Sequence, residues 1–314
     1  MSKTMDSSAQ NTMPQIFSLP KRIAFVRKFI TDLLIISSIL FGIIIFYKFG
    51  IPFRRGFHCQ DDSIRYPFKE NTIPTTVNYL YSTLLPACTI LVNEIFLTRQ
   101  FLMVGDERFG SVWSSGKYWL MYSWQCYLHL IPLAFGAVTS QFITDIAKYS
   151  IGRLRPHFLD MCRPQLSTGS VVNRITGCVT PNTYETDYTC TNFEMDPWRV
   201  KDVHLSFVSG HTSFAAVCLI YLVIYIQVRI KYRWLGLLKQ FYQASLFVLV
   251  LWTGFTRISD YKHHWSDVLF GFLLGALIAI LIAKYGSNLF RSPESKRQQA
   301  DTNVKNGNLQ ESGV

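Results

Sequence analysis

TRISDYKHHWSD, Thr256 to Asp267, joins two strongly apolar runs and carries two adjacent histidines. Arg257 stands six residues before His263, and Asp267 stands four after it. Ionisable groups at the edge of a hydrocarbon-like segment are costly and tend to mark function. The stretch therefore raises two questions: whether its flanks cross a membrane, and what Arg257, His263 and Asp267 do together.

Composition answers the first. The 314 residues are 49% hydrophobic and 15% aromatic but only 16% charged. Soluble domains carry about a quarter charged residues, so the deficit selects a membrane protein over a large water-soluble core. Six mostly apolar runs qualify as spans: Phe29–Tyr47, Tyr79–Leu97, Tyr127–Ile146, His211–Val228, Phe241–Phe255 and Val268–Ala283. The third is interrupted by Gln141 and Asp145, and the fifth is short. The first run starts late and precedes no small-residue cleavage pattern, so it reads as a signal-anchor. The expected fold is an all-α integral membrane protein of six transmembrane helices.

The net charge of +11 does not imply nucleic acid, because the cations sit beside apolar runs and form no long basic stripe. They set an orientation instead. Lys21, Arg22, Arg27 and Lys28 precede the first span, Arg229, Lys231, Arg233 and Lys239 follow the fourth, and Lys284, Arg291, Lys296 and Arg297 follow the sixth. With six spans these groups share one side, expected to be the cytosol. Arg54, Arg55, Arg65 and Lys69 dissent from the outer side.

Residues 1–20 and 291–314 are too polar to bury a core and are expected to be disordered cytosolic termini around a membrane domain at 21–290. Trp113, Trp119 and Trp124 fall in a cytosolic loop between Arg99 and Cys126 and read as interfacial anchors. The outer segment 147–208 is longer than a simple connection should be. Cys59, Cys162, Cys178 and Cys190 fall in outer loops, where disulfides persist, and permit three pairings.

Three clusters reach one predicted outer face. In KYSIGRLRP, Lys148 and Arg155 are seven residues apart, two helical turns, and Pro156 is expected to end the helix at Arg155. In SFVSGHTSF, Ser209 and Gly210 precede the fourth span, whose N-terminal N–H groups form a ready anion site. Ser209 can cap that helix or bind the anion, Gly210 lets a ligand approach, and His211 lies in the first turn. In the opening stretch, a helix starting near His263 would put His263 and Asp267 on one face, the carboxylate orienting the imidazole. Three cations, a helix N-terminus and two histidines describe a phosphate monoester site, one histidine attacking phosphorus and the other protonating the leaving alkoxide.

K-x6-RP, SGH and R-x5-H-x3-D resemble the three signature motifs of the type 2 phosphatidic acid phosphatase superfamily. Within it the chain is similar to the animal plasma-membrane lipid phosphate phosphatases, the group of the invertebrate Wunen proteins, over roughly Lys21 to Phe290. That similarity includes GFHCQDDSIRYPFKENTI and SDYKHHWSDVLFG. It implies His263 as the nucleophile that becomes phosphorylated, Asp267 as its orienting carboxylate and His211 as general acid. It implies Lys148, Arg155, Ser209, Gly210 and Arg257 as phosphate-binding positions, with no metal and no cofactor. Implied substrates are phosphatidic acid, lysophosphatidic acid, ceramide 1-phosphate and sphingosine 1-phosphate at the extracellular face of the plasma membrane. Thr256 stands where the family has serine, and no Asn-x-Ser/Thr sequon occurs, although mammalian relatives commonly carry one.

Other readings compete. Arg257 or Lys148 alone would read as a headgroup anchor. His264 is expected to be an interfacial side chain, and His58, His129, His157 and His204 structural ones. Asp32, Glu94 and Asp145 suggest snorkelling or helix pairing. A zinc site from His204, His211, His263 and Asp267 is disfavoured by the flanking cations. A catalytically silent lipid-binding scaffold, a lipid-phosphate transporter and a sugar-phosphate phosphatase are the alternative functions. Self-association is left open.

Overall fold

A computed structural model of the chain describes residues 19–103, 116–175, 177–178, 183–192, 196–287 and 289–290. The disorder expected of 291–314 and the placement of Trp113 lie outside the described residues, as does the disorder expected of 1–20 up to residue 18. Leu19 and Pro20 belong to the first helix.

Six helices are long and apolar enough to cross a membrane: α1 (Leu19–Phe49), α2 (Thr75–Met103), α3 (Gly116–Ile151), α6 (Gly210–Arg229), α7 (Leu237–Ser259) and α8 (Trp265–Leu281). The protein is an integral membrane protein of the expected all-α class. Two short helices, α4 (Phe158–Cys162) and α5 (Pro197–Asp202), lie between α3 and α6. Pro86 and Pro132 are accommodated inside α2 and α3, as in other spans where neighbouring helices satisfy the freed carbonyls. Trp119 and Trp124 belong to α3 and not to a loop.

α6 is the hub, packing against α8, α7, α3 and α2. Its Ala215, Ala216, Leu219, Tyr221, Leu222 and Tyr225 are fully buried. α1 is the opposite extreme, peripheral and resting on α3 through pairs such as Phe46 and Phe142, with ring centroids 6.0 Å apart. Between helices in lipid, packing rather than water exclusion drives association, and small residues admit close approach. The α6–α8 seam shows this: a Cβ on Gly271 would lie 2.7 Å from the Ser209 carbonyl oxygen, and one on Gly275 would lie 2.4 Å from that of Ser213.

Two helix ends differ from expectation. α3 stops at Ile151, four residues before Arg155. Gly152 adopts a left-handed φ of 59° and donates its N–H to the Lys148 carbonyl at 3.1 Å, a glycine C-cap that ends the helix ahead of the proline. A Cβ there would sit 1.9 Å from the Phe53 carbonyl oxygen. α8 begins at Trp265, two residues after His263, because a turn with Tyr261 at φ 55° precedes it.

The described loop residues at one end of the bundle form a cap. β1 (Phe57–His58) pairs antiparallel with β3 (Tyr184–Glu185), and β2 (Pro164–Leu166) with β4 (Tyr188–Cys190). Phe57, Leu154, Phe158, Leu159, Tyr188 and Val203 form its core. Of the three pairings the sequence left open, Cys59–Cys178 and Cys162–Cys190 are the ones formed. The first closes 119 residues and the second 28, worth about 5 and about 3.5 kcal/mol in the chain-entropy picture.

Candidate active site

A cavity of about 630 Å³ lies under the cap, above the N-terminus of α6. Lys148, Arg155, Gly210, His211, Arg257 and His263 all line it. Ser209 and Asp267, both fully buried, stand behind this wall.

The lining residues arrive on several elements. Lys148 rises from the last turn of α3, its ammonium nitrogen 3.4 Å from where a Cβ on Gly210 would be. Arg155 comes from the connection beyond α3. Its Nη2 donates to Asp202 Oδ1 at 2.6 Å, its Nε to the Asp202 carbonyl at 2.9 Å and its Nη1 to the Lys262 carbonyl at 3.2 Å. Arg257, in the last turn of α7, donates through Nη1 to Asn71 Oδ1 at 3.0 Å and through Nη2 to Asp260 Oδ2 at 3.1 Å. His211 lies in the first turn of α6, and among the described residues its Nε2 has no hydrogen-bond partner.

Ser209 does not cap α6 through its side chain. Its hydroxyl pairs with that of Thr212 at 2.9 Å, and its N–H donates to the Asp267 carbonyl at 3.1 Å. The Thr256 hydroxyl is likewise engaged, donating to the Thr253 carbonyl at 2.8 Å.

The link between His263 and Asp267 is less direct than a spacing of four suggests, because α8 starts too late for both to share its face. His263 Nδ1 donates to the Ser206 carbonyl at 2.7 Å, while Asp267 Oδ2 is 3.9 Å away, beyond hydrogen-bond reach. Asp267 instead accepts from Ser206 Oγ at 2.6 Å, Arg153 Nη1 at 2.5 Å and the His264 N–H at 3.1 Å. Ser206 thus holds the imidazole with its carbonyl and the carboxylate with its hydroxyl. The Nδ1 bond leaves Nε2 as the unprotonated nitrogen of a neutral ring. Burial pushes the His263 imidazolium down to about 4, with Arg155 and Lys148 adding to the shift and Asp267 opposing it.

Several contributors were not singled out from sequence: Arg153, Ser206, Asp202, Lys262, Asn71 and His157. Arg153 lies inside KYSIGRLRP and Ser206 opens SFVSGHTSF, so adjacency was the one signal present. His157 lines the cavity, its Nδ1 on the Tyr261 carbonyl at 2.7 Å, and burial followed by the Arg155 charge lowers it to about 3. Burial alone would raise the Asp202 carboxyl, but Arg155 and Lys148 outweigh it and hold the group below its ordinary value. His264 is half-buried, precedes α8 as its N-cap residue and bonds through Nε2 to the Leu154 carbonyl at 3.0 Å. His204 of the disfavoured zinc set turns to the Tyr188 hydroxyl at 3.2 Å. Among the described residues no group of three or more His, Cys, Asp or Glu is placed to hold a metal ion.

The PAP2 superfamily model matches residues 129–291, which include every motif residue above. A putative phosphatidate phosphatase of Drosophila melanogaster is 38% identical over 277 residues, covering 86% of this chain and 71% of that protein. Phospholipid phosphatase 1 of Rattus norvegicus is 39% identical over 250 residues, 80% of this chain and 81% of its own. Phospholipid phosphatase 2 of Homo sapiens is 37% identical over 262 residues, 82% of each chain. No solved structure matches. With three motifs converging on one cavity and relatives aligned along most of their length, the chain belongs to the PAP2 superfamily.

Proposed function

We propose that the protein hydrolyses lipid phosphate monoesters without a metal ion, through a phosphohistidine at His263. The observation that carries this reading is the His263 Nδ1 bond to the Ser206 carbonyl, which leaves Nε2 of a cavity-lining imidazole free to attack. The names of the relatives support a lipid phosphate as substrate.

The ester dianion sits among Lys148, Arg155 and Arg257, with the α6 N-terminus adding its dipole. His263 Nε2 attacks phosphorus, the bond to the lipid oxygen breaks, and His211 gives that oxygen its proton. His211, now a base, takes a proton from water as the water attacks the phosphohistidine, releasing phosphate and restoring both rings. Cations fixed by Asp202, Asp260 and Asn71 supply the charge stabilisation that a metal supplies elsewhere. The proposed substrates are phosphatidic acid, lysophosphatidic acid, ceramide 1-phosphate and sphingosine 1-phosphate. The cavity faces the extracytoplasmic side, with both termini cytosolic and the plasma membrane as the site of action.

The test is phosphate release from phosphatidic and lysophosphatidic acid in detergent micelles containing excess chelator, comparing wild type with His263→Ala. Wild type releases phosphate and the variant does not. Equal release by a correctly folded variant would sink the assignment, and a loss restored by added metal would sink metal independence.

A further inference from the structure

Two ammonium groups line the cavity with carboxylates nearby but none within ion-pair distance among the described residues. Among the described residues, neither Lys148 nor Lys262 makes a side-chain hydrogen bond or an ion pair, whereas Arg155 pairs with Asp202 at 2.6 Å and Arg257 with Asp260 at 3.1 Å. Lys148 belongs to the first motif. Lys262 belongs to none of the motif positions, yet it immediately precedes His263 and is only 6% exposed. Its backbone is pinned on both sides by the phosphate-site arginines. Its N–H donates to the Arg257 carbonyl at 3.0 Å, and its carbonyl accepts from Arg155 Nη1 at 3.2 Å.

The side chain is held equally firmly. Its nitrogen lies 3.7 Å from the centroid of the Phe68 ring. Phe68 is fixed in turn by its N–H, which donates to Asp160 Oδ2 at 2.8 Å, and by an edge contact with His157. A ring face offers a buried ammonium partial compensation and leaves its three donors unspent. Buried charges are normally paired, so a preoriented cation on a cavity wall without an acceptor calls for an anionic ligand.

We infer that Lys262 is a further substrate-binding residue, donating to the phosphoryl oxygens beside Lys148, Arg155 and Arg257. The inference rests on the phosphatase reading above. The charged groups facing Lys262 are Arg155, Arg257, Asp202 and Glu70; Lys148, Asp145, His157, Arg199, His211 and His263 line the same cavity. Burial leads, with Arg155 next, in lowering the Lys262 ammonium to about 8. The cation is therefore present below that pH and lost above it. Affinity for phosphate in the free enzyme should fall as pH rises through about 8.

The experiment measures KM for lysophosphatidic acid and inhibition by inorganic phosphate in wild type, Lys262→Gln and Lys262→Arg from pH 6 to 9, with His263→Ala assayed for residual phosphate release. Lys262→Gln should raise both KM and the inhibition constant about tenfold at pH 6.5 while kcat changes less than about threefold. Lys262→Arg should keep wild-type affinity and lose the weakening near pH 8, because a guanidinium does not titrate there. Unchanged inhibition constants in Lys262→Gln overturn the proposal, as does an alkaline weakening that persists in Lys262→Arg. If Lys262→Gln fails to fold, the Lys262→Arg profile decides alone. Activity surviving in His263→Ala would instead overturn the phosphohistidine reading, leaving the inhibition constants to judge Lys262 separately.

Discussion

The two ends of α6 carry similar charges in opposite conditions. At its C-terminus Arg229 grips the buried Glu94 through two bonds, Nη2 to Oε2 at 2.7 Å and Nε to Oε1 at 3.1 Å. Tyr225 donates to the same carboxylate at 2.7 Å, and Asn93 donates to the Tyr225 hydroxyl at 2.8 Å. Some 30 Å away, by the rise of a 20-residue helix, the N-terminus faces cations with spare donors and a histidine with a free nitrogen. The satisfied cluster ties α2 to α6 and offers nothing to a ligand. The unsatisfied one has donors turned toward a cavity. Charge inside a membrane protein is thus a poor guide to function until its partners are counted.

Mutations should separate the two ends. The largest effect belongs to His263→Ala, which should reduce turnover at least 10³-fold with little change in thermal midpoint, read from phosphate release and a melt in detergent. Glu94→Ala should do the reverse. Leaving Arg229 unpaired should cost about 3–5 kcal/mol of stability while the surviving folded fraction keeps its KM. Adding Arg229→Met should recover much of that loss, and failure to recover it would show that Glu94 does more than pair.

Arg153 lies between these cases, since its bond to Asp267 belongs to the site but faces away from the cavity. Arg153→Gln should lower kcat about 10- to 50-fold, in line with a lost charge-assisted hydrogen bond, with KM nearly unchanged. Removing that cation leaves more of the Asp267 charge acting on His263 and makes the ring more basic. The acid limb of the pH profile should therefore move upward, a shift that a merely structural role would not produce. The smallest effect concerns wild type. With His263 near 4, kcat/KM should be insensitive to this ring at neutral pH and fall only as the pH approaches 4 from above. An acid limb at pH 6.5 assigned to His263 would contradict the burial described here.

The sequence was legible where the signal was local. Apolar runs located all six spans, the interrupted third and the short fifth included, because bilayer thickness leaves few other lengths. The motif residues were legible as a set, and six of the eight line one cavity. Long-range closure was not legible. Ser206 and Asp267 are 61 residues apart and Arg153 and Asp267 are 114 apart, so no spacing rule could join them. Helix ends also slipped where backbone conformation overrode a residue signal. Gly152 stopped α3 before Pro156 could, and the turn at Tyr261 delayed α8. That delay is why a spacing of four, sound inside a helix, did not give a direct contact between His263 and Asp267.

The α6–α8 seam has a consequence for how the site meets its bilayer. Gly271 and Gly275 bring α8 against the backbone of α6 at Ser209 and Ser213, so no rotatable side chain separates the helix bearing His211 from the helix bearing Asp267. A thicker or thinner bilayer tilts spans to match it. A joint without play makes these two tilt as one body, and the spacing of His211 and Asp267 then stays the same in membranes of different thickness.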